Sequence, residues 1–114
     1  MKLREKQSRF ALCLGMLLLE IEKRGYECTL GDAYRDPRLH GPVGVKLGYG
    51  AAKSCHKLRL AIDLNLFKDG VLLKGQAADV AHIELHNWWV SNCQGGAIIP
   101  GDANHYSFLH EGMR

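Results

Sequence analysis

The chain has 114 residues, of which 46% are hydrophobic and 24% charged, and these values are typical of one globular domain spanning residues 1–114. They exclude a disordered or low-complexity protein. The formal net charge is only +3, with basic residues spread along the chain, so a nucleic-acid partner is not expected. Mild basicity would also suit an anionic polymer such as a bacterial cell wall.

The first predicted element is an amphipathic helix. Its apolar residues recur at helical spacing, and Gly25 after Lys23-Arg24 is typical of a helix end. Lys2 to Arg9 followed by an apolar run also resembles an export signal, but no small-x-small cleavage site follows. The run is too short to span a bilayer. We therefore favour the helix, whose apolar face comprises Phe10, Leu14, Leu17, Leu18 and Ile21.

The remaining pattern predicts strands, a loop and a second helix. Residues 26–30 and 104–109 have strand-like sequences, and residues 36–53 are rich in Gly and Pro, as in a mobile loop. A strand over 59–67 places Leu60, Ile62 and Leu64 on the face opposite Asp63. Asp69-Gly70 predicts a hairpin turn, and residues 77–92 a helix with Val80, Ile83 and Trp88 on its apolar side, to which Ala81 and Leu85 could also belong. This order predicts an α+β domain, a small antiparallel sheet packed with helices.

The four cysteines, Cys13, Cys28, Cys55 and Cys93, form no CxxC pair. Cys13 and Cys28 lie in apolar segments and are interpreted as small buried residues. The sequence therefore favours free thiols and synthesis in a reducing cytosol.

Two imidazoles and two carboxylates form the strongest functional pattern. His56, Asp63 and His105 are a ligand set for a catalytic zinc ion, which takes three protein ligands and keeps one open position. Asp102, three residues before His105, could take a proton from the attacking water and pass it to the leaving amine. Two simpler interpretations remain: Asp63 could lie on a solvated strand face, and Asp102 could be a turn residue.

Three other features have simpler explanations. His82 and His86 are spaced for a helical metal pair, but Glu84 does not follow the first His directly, and a solvent-facing or capping role is favoured. At least one residue of Trp88-Trp89 is expected in the core. Cys55 beside His56 could suggest a thiol nucleophile, yet nothing nearby would stabilise a thiolate.

The arrangement Ser54-x-His56-x6-Asp63, followed by Asp102-x-x-His105, resembles the signature of the zinc-dependent D-Ala-D-Ala and L-alanyl-D-glutamate peptidases. These share a fold with the hedgehog signalling domain, and the chain is most similar to their small phage-encoded lytic subgroup. The resemblance implies that His56, Asp63 and His105 bind zinc and that Asp102 is the catalytic acid and base. It also implies that Arg35 steadies the substrate or an oxyanion, while Ser54 binds substrate or supports His56. Further similar segments are residues 1–8, 31–35, 59–70, 88–89 and 104–107.

The resemblance implies an endolysin-like enzyme that cuts peptidoglycan stem peptides, with the L-Ala–D-Glu bond as the expected target. A D,D- or L,D-carboxypeptidase and a non-catalytic zinc-containing wall-binding or structural phage module remain alternatives. The chain departs from the wider family at Arg59, where glycine is usual, in the segment 97–101 and in the loop 37–53, which affects substrate specificity. A monomer made in the host cytoplasm and acting in the periplasm or cell wall is expected.

Overall fold

The structure, a computed structural model, describes residues 1–46 and 52–114. Within these ranges the helices and strands form an α+β domain with a small antiparallel sheet, which confirms the predicted class. The predicted mobile loop includes residues 47–51, which lie outside the described residues. In chain order the elements are α1 (Leu3–Lys23), β1 (Glu27–Leu30), α2 (Pro37–His40), a 3₁₀ helix (Cys55–Leu58), β2 (Ala61–Lys68), β3 (Val71–Leu72), α3 (Gly75–Cys93) and β4 (His105–Ser107).

Strand β2 is the centre of the sheet. Its second half pairs with β1, and its last two residues pair with β3 across a tight hairpin. Asp69 and Gly70 both have positive φ, 51° and 76°, as the predicted two-residue turn requires. The first half of β2 pairs with β4. The long central strand thus links the hairpin at one end to the C-terminal segment at the other.

Helix α1 has the predicted apolar face. Phe10, Cys13, Leu17 and Ile21 are buried, and Leu14 and Leu18 are partly buried against the same core. The apolar run that resembled an export signal therefore packs into the domain, as expected for an amphipathic helix. Among the described residues, no helix has the length and apolarity needed to cross a bilayer.

An aromatic cluster joins both long helices to β4. The ring of Trp89 on α3 packs edge-on against Phe10 of α1 and Tyr106 of β4, with centroid distances of 5.8 and 6.2 Å. Phe108 closes the cluster, 5.3 Å from Phe10. Residue 95 lies against the indole ring of Trp89 and must be glycine, because a Cβ there would lie 1.9 Å from Trp89 Nε1. The packing of these rings fixes β4, and with it the segment that carries His105.

The apolar side predicted for α3 was partly wrong. Val80 and Ile83 are 50% and 46% exposed, whereas Trp89 is fully buried. The helix turns a different face to the core from the one predicted, because two histidines on its buried face form hydrogen bonds with the C-terminal segment. Its buried residues are Ala81, His82, Leu85, His86, Trp89 and Cys93.

Candidate metal centre

Asp63 and His105 face each other across β2 and β4. The antiparallel register places them directly opposite. Leu64 N–H donates to Asn104 O at 2.9 Å, whereas Asp63 N–H points to the other side and donates to Asp32 O at 3.0 Å. Asp63 and His105 therefore occupy a non-hydrogen-bonded pair, the position at which opposite side chains come closest.

Alternation along both strands separates this pair from the core. Ile62 and Leu64 are 1% and 0% exposed, while Asp63 between them lies on the other face and is partly exposed. On β4, Tyr106 enters the aromatic core next to His105. The predicted face for Asp63 is confirmed, and its side chain has polar partners rather than solvent alone.

The 3₁₀ helix brings His56 to the same point. The Ser54 hydroxyl accepts the His56 N–H at 3.2 Å and caps the helix. Arg59, in the left-handed conformation with φ 56°, ends it and directs the chain into β2. Arg35 N–H donates to His56 O at 3.1 Å. These contacts hold a buried imidazole at a position seven residues before Asp63.

Three ligand atoms converge in a small triangle. His56 Nε2 lies 3.1 Å from Asp63 Oδ1 and 3.1 Å from His105 Nδ1, and His105 Nδ1 lies 3.5 Å from Asp63 Oδ1. Ligands at 2.0–2.1 Å from a tetrahedral metal ion are separated by about 3.3 Å. The His–Asp–His group therefore has the dimensions to hold a metal ion, and within residues 1–46 and 52–114 it is the group that does.

The protonation state of Asp63 also favours binding of a cation at this group. Burial would raise the pKa of Asp63, but hydrogen bonds from His105 and His56 outweigh burial and hold that pKa well below its usual value. Asp63 is thus an anion at neutral pH. A metal ion would displace the protons that these two imidazole nitrogens, 3.1 Å apart, share with each other and with Asp63, and would accept the lone pairs of both.

The distal ring nitrogens, His56 Nδ1 and His105 Nε2, are buried and make no hydrogen bond with the described residues. In many metal sites this nitrogen donates to a carboxylate or carbonyl, which fixes the ring. Here the rings are oriented instead by the backbone that carries them: the capped 3₁₀ helix for His56 and the strand pairing for His105.

Asp102 lies at the exposed side of the triangle. Its Oδ2 is 3.9 Å from His105 Nδ1, which is too far for a hydrogen bond, and its side chain is 53% exposed. Its backbone forms a turn, with Asp102 O accepting the His105 N–H at 3.1 Å. Asp102 is therefore both a turn residue and a carboxylate next to the ligands, so the two interpretations of the sequence are compatible.

Arg35 and Ser54 lie behind His56. Arg35 Nη1 donates to the Ser54 hydroxyl at 3.0 Å, and Ser54 is only 3% exposed. Arg35 Nε is also 3.7 Å from Asp32 Oδ2. These contacts favour the supporting role predicted for Ser54. Contact of either residue with a substrate or an oxyanion stays a prediction.

Gly31 contributes to the site in a way the sequence analysis did not single out. Its N–H donates to Asp63 O at 2.7 Å. A Cβ at Gly31 would lie 3.1 Å from Asp63 Cβ and 3.3 Å from Asp63 O. A side chain at this position would require Asp63 to shift by a few tenths of an ångström, so glycine favours the close approach of the two backbones. A glycine that directly follows a predicted strand was the signal in the sequence.

We expect Gly31→Ala to weaken Zn²⁺ binding about tenfold, because the added methyl group must displace Asp63. Competition with a chromogenic chelator would measure the affinity. Gly15→Ala is the matched control, since a Cβ there meets nothing within 4 Å. Equal affinities for both variants and wild type would show that Asp63 tolerates the displacement.

The histidine pair on α3 is buried, contrary to the expected solvent-facing or capping role. His82 and His86 are 4% and 2% exposed. His82 Nδ1 lies 2.7 Å from the Tyr106 hydroxyl, and the His86 ring stacks on the Tyr106 ring at 4.0 Å. His86 Nε2 donates to Ala103 O at 2.9 Å. The pair thus binds α3 to the segment that carries His105.

These histidines should make the domain sensitive to mild acid. Burial and the nearby His86 lower the pKa of His82 to about 4, against the opposing effect of Asp79. The unfolded chain therefore binds a proton that the folded chain excludes between pH ~6.5 and ~4, and stability falls as pH falls through this window. The loss attributable to His82 is on the order of 2–3 kcal/mol.

Urea unfolding between pH 4 and 7, with EDTA present to exclude metal release, would test this expectation. His82→Gln removes the titration and keeps an acceptor for the Tyr106 hydroxyl. The variant should lose less stability than wild type on acidification. Parallel curves for the two proteins would rule out His82 as a source of the acid sensitivity.

Cys55 is not placed to act as a nucleophile. It is fully buried, and its thiol donates to Phe108 O at 3.3 Å. Burial raises the pKa of Cys55 to about 11. The thiolate, which is the nucleophilic form, is therefore scarce at neutral pH. The geometry disfavours a cysteine hydrolase.

The fold and the site together define an α+β domain with a His–Asp–His group that could hold a metal ion. Comparison of the chain with models of protein families, with curated proteins and with solved structures found no match. What the domain does must therefore be argued from the geometry of this group and from the residue pattern around it.

Proposed function

We propose that this protein is a zinc-dependent peptidase that hydrolyses peptidoglycan stem peptides, as a phage endolysin does. The observation that carries the proposal is the ligand triangle of His56, Asp63 and His105 with the Asp102 carboxylate beside it. Two nitrogens and one oxygen suit zinc, and three protein ligands leave a position for reactants. A purely structural zinc site is closed by four ligands and needs no neighbouring base.

Each residue has a distinct task in this proposal. His56, Asp63 and His105 hold the metal, and Asp63 supplies the negative charge. Zinc bound there would act as a Lewis acid on the scissile carbonyl and lower the pKa of water. Asp102 Oδ2 takes the proton of the attacking water and then gives it to the leaving amine. Its exposure leaves it accessible to a bound peptide.

The supporting residues act through His56. Ser54 and Arg35 hold the backbone of that ligand, and Arg35 is also proposed to steady the substrate or the oxyanion. The resemblance in the sequence favours the L-Ala–D-Glu bond as the target. A D,D- or L,D-carboxypeptidase would use the same centre. Synthesis in a bacterial host and action on its wall, after release by a holin or another route, belong to the same proposal.

Purified cell walls provide the test. Wild-type protein with Zn²⁺ should lower the turbidity of a wall suspension, and chelation should stop the loss until Zn²⁺ is returned. Mass analysis of the released muropeptides would identify the bond. Lysis that persists in excess chelator would contradict the metal mechanism. Bound zinc without hydrolysis of any wall type would favour a wall-binding module instead.

A further inference from the structure

The side chain of Lys57 is buried in a cage of carbonyl oxygens. Lys57 is only 4% exposed, although lysine is rarely buried. Its ammonium nitrogen lies 2.9, 3.2, 2.6 and 3.2 Å from the backbone oxygens of residues 40, 42, 45 and 52, so its three N–H groups are shared among four acceptors. All four acceptors are neutral, so the ammonium acts as a cation within a ring of dipoles rather than as half of an ion pair.

The four acceptors lie in two described parts of the chain, residues 40–45 and residue 52. Gly44 N–H donates to Ala52 O at 2.8 Å, which joins these two parts. Gly41, with φ 76°, packs so closely that a Cβ there would lie 2.9 Å from Val45 O. Carbonyl groups that point at one another repel unless a donor lies between them, and leaving them buried and unsatisfied is costly. The arrangement of residues 40–45 and 52 therefore depends on the ammonium group.

The same residue belongs to the 3₁₀ helix that carries His56. A single 3₁₀ turn has poor hydrogen-bond geometry and little stability of its own. One end of this turn is held by Ser54, whose hydroxyl accepts the His56 N–H at 3.2 Å. At the next residue, the Lys57 side chain connects the turn to the carbonyl groups of residues 40, 42, 45 and 52. Because His56 Nδ1 makes no hydrogen bond with the described residues, no partner on that side fixes the ring, and the backbone that carries it has a larger part in its orientation.

We propose that Lys57 is a positioning residue of the metal centre: it serves as an internal cation that holds residues 40–45 together with Ala52 and fixes the helical turn on which His56 is presented. This inference rests on the proposed metal centre but is independent of the substrate. The role belongs to the ammonium group. The planar guanidinium of arginine cannot place one compact charge among four oxygens, and methionine keeps the chain length without the charge.

Lys57→Met tests the proposal, with Lys53→Met as the matched control because Lys53 is an exposed lysine of the same segment. Hydrogen exchange in EDTA should show the amides of residues 41, 43–45 and 52–58 exchanging at least about tenfold faster in Lys57→Met, but not in Lys53→Met. Co²⁺ should bind this variant about tenfold more weakly, with altered visible absorption bands, because His56 is no longer preorganised. Lys57→Arg should show the same changes to a smaller degree, and it provides the measurement if the methionine variant does not fold.

Unchanged amide exchange rates in Lys57→Met would contradict the proposed role of Lys57 in holding residues 40–45 together with Ala52. Faster exchange with wild-type Co²⁺ affinity and spectrum would overturn the positioning of His56. The readouts separate this inference from the proposed function, since neither needs wall hydrolysis. A wild-type protein that binds Co²⁺ but hydrolyses no cell wall would contradict the proposed peptidase function and leave the proposed role of Lys57 unaffected. Failure of wild type to bind Co²⁺ would reject the metal centre and the positioning role together.

Discussion

Replacing Asp102 with asparagine should lower the rate of wall hydrolysis by about 100- to 10,000-fold, the usual contribution of a positioned acid and base. The amide has nearly the same shape but cannot take up or release the proton. Because Asp102 Oδ2 lies 3.9 Å from His105 Nδ1 and contacts no ligand atom directly, Zn²⁺ affinity should change little. Turbidity assays at equal zinc occupancy would measure the rate, and chelator competition the affinity.

Asp69→Asn is the control for this substitution. Asp69 lies in the exposed hairpin turn with φ 51°, a conformation that asparagine also adopts readily. The control should keep wild-type activity and zinc affinity. Wild-type hydrolysis by Asp102→Asn would remove Asp102 from the mechanism, and loss of both zinc and activity would make it a ligand instead of a base.

Replacing Asp63 with asparagine should weaken Zn²⁺ binding about 100-fold or more, since substitutions that only support a ligand already cost 10- to 100-fold. The amide removes the negative charge that two imidazoles hold in place. The stabilisation by bound metal should shrink with it, to about 0.4 kcal/mol or less at a free metal concentration that nearly saturates wild type. At free metal 100 times the dissociation constant, a bound ion adds about 2.7 kcal/mol to stability, which raises the melting temperature of a domain this size by roughly 10 °C.

Thermal melts of wild type and Asp63→Asn, each with Zn²⁺ and with EDTA, would measure this linkage. The wild-type melting temperature should fall by roughly 10 °C on chelation, while that of the variant should fall by about 2 °C or less. Asp69→Asn again supplies the control and should respond to chelation as wild type does. A variant that gains as much stability from Zn²⁺ as wild type does would place the metal on other residues.

Much of the fold was predictable because its signals are local. The apolar period of α1, the alternation along β2 and the Asp69-Gly70 turn each depend on neighbouring residues, and each is confirmed. The buried face of α3 was not predicted correctly. His82 and His86 are polar, and only their bonds to Tyr106 and Ala103, far along the chain, make burial favourable. Helix α2 and the 3₁₀ helix are too short to leave a periodic pattern.

The supporting part of the site was less predictable than the ligands. Gly31 and Lys57 act through backbone contacts with Asp63 O and with the carbonyl groups of a loop. Such contacts have no signature in side-chain type, because the partner is an oxygen that every residue carries. Ser54 could be anticipated from its position before His56, but its bond with Arg35 joins residues 19 apart and depends on the loop between them.

The sequence by itself determined which residues can bind a metal and which strand face Asp63 occupies, because residue chemistry and a two-residue period are local properties. Only the tertiary structure decided that the three ligands meet. His56 and His105 are 49 positions apart, and their nitrogens come within 3.1 Å because β2 and β4 pair in one register while a capped helical turn presents His56. A shift of one residue in that register would place Asp63 and His105 on opposite faces.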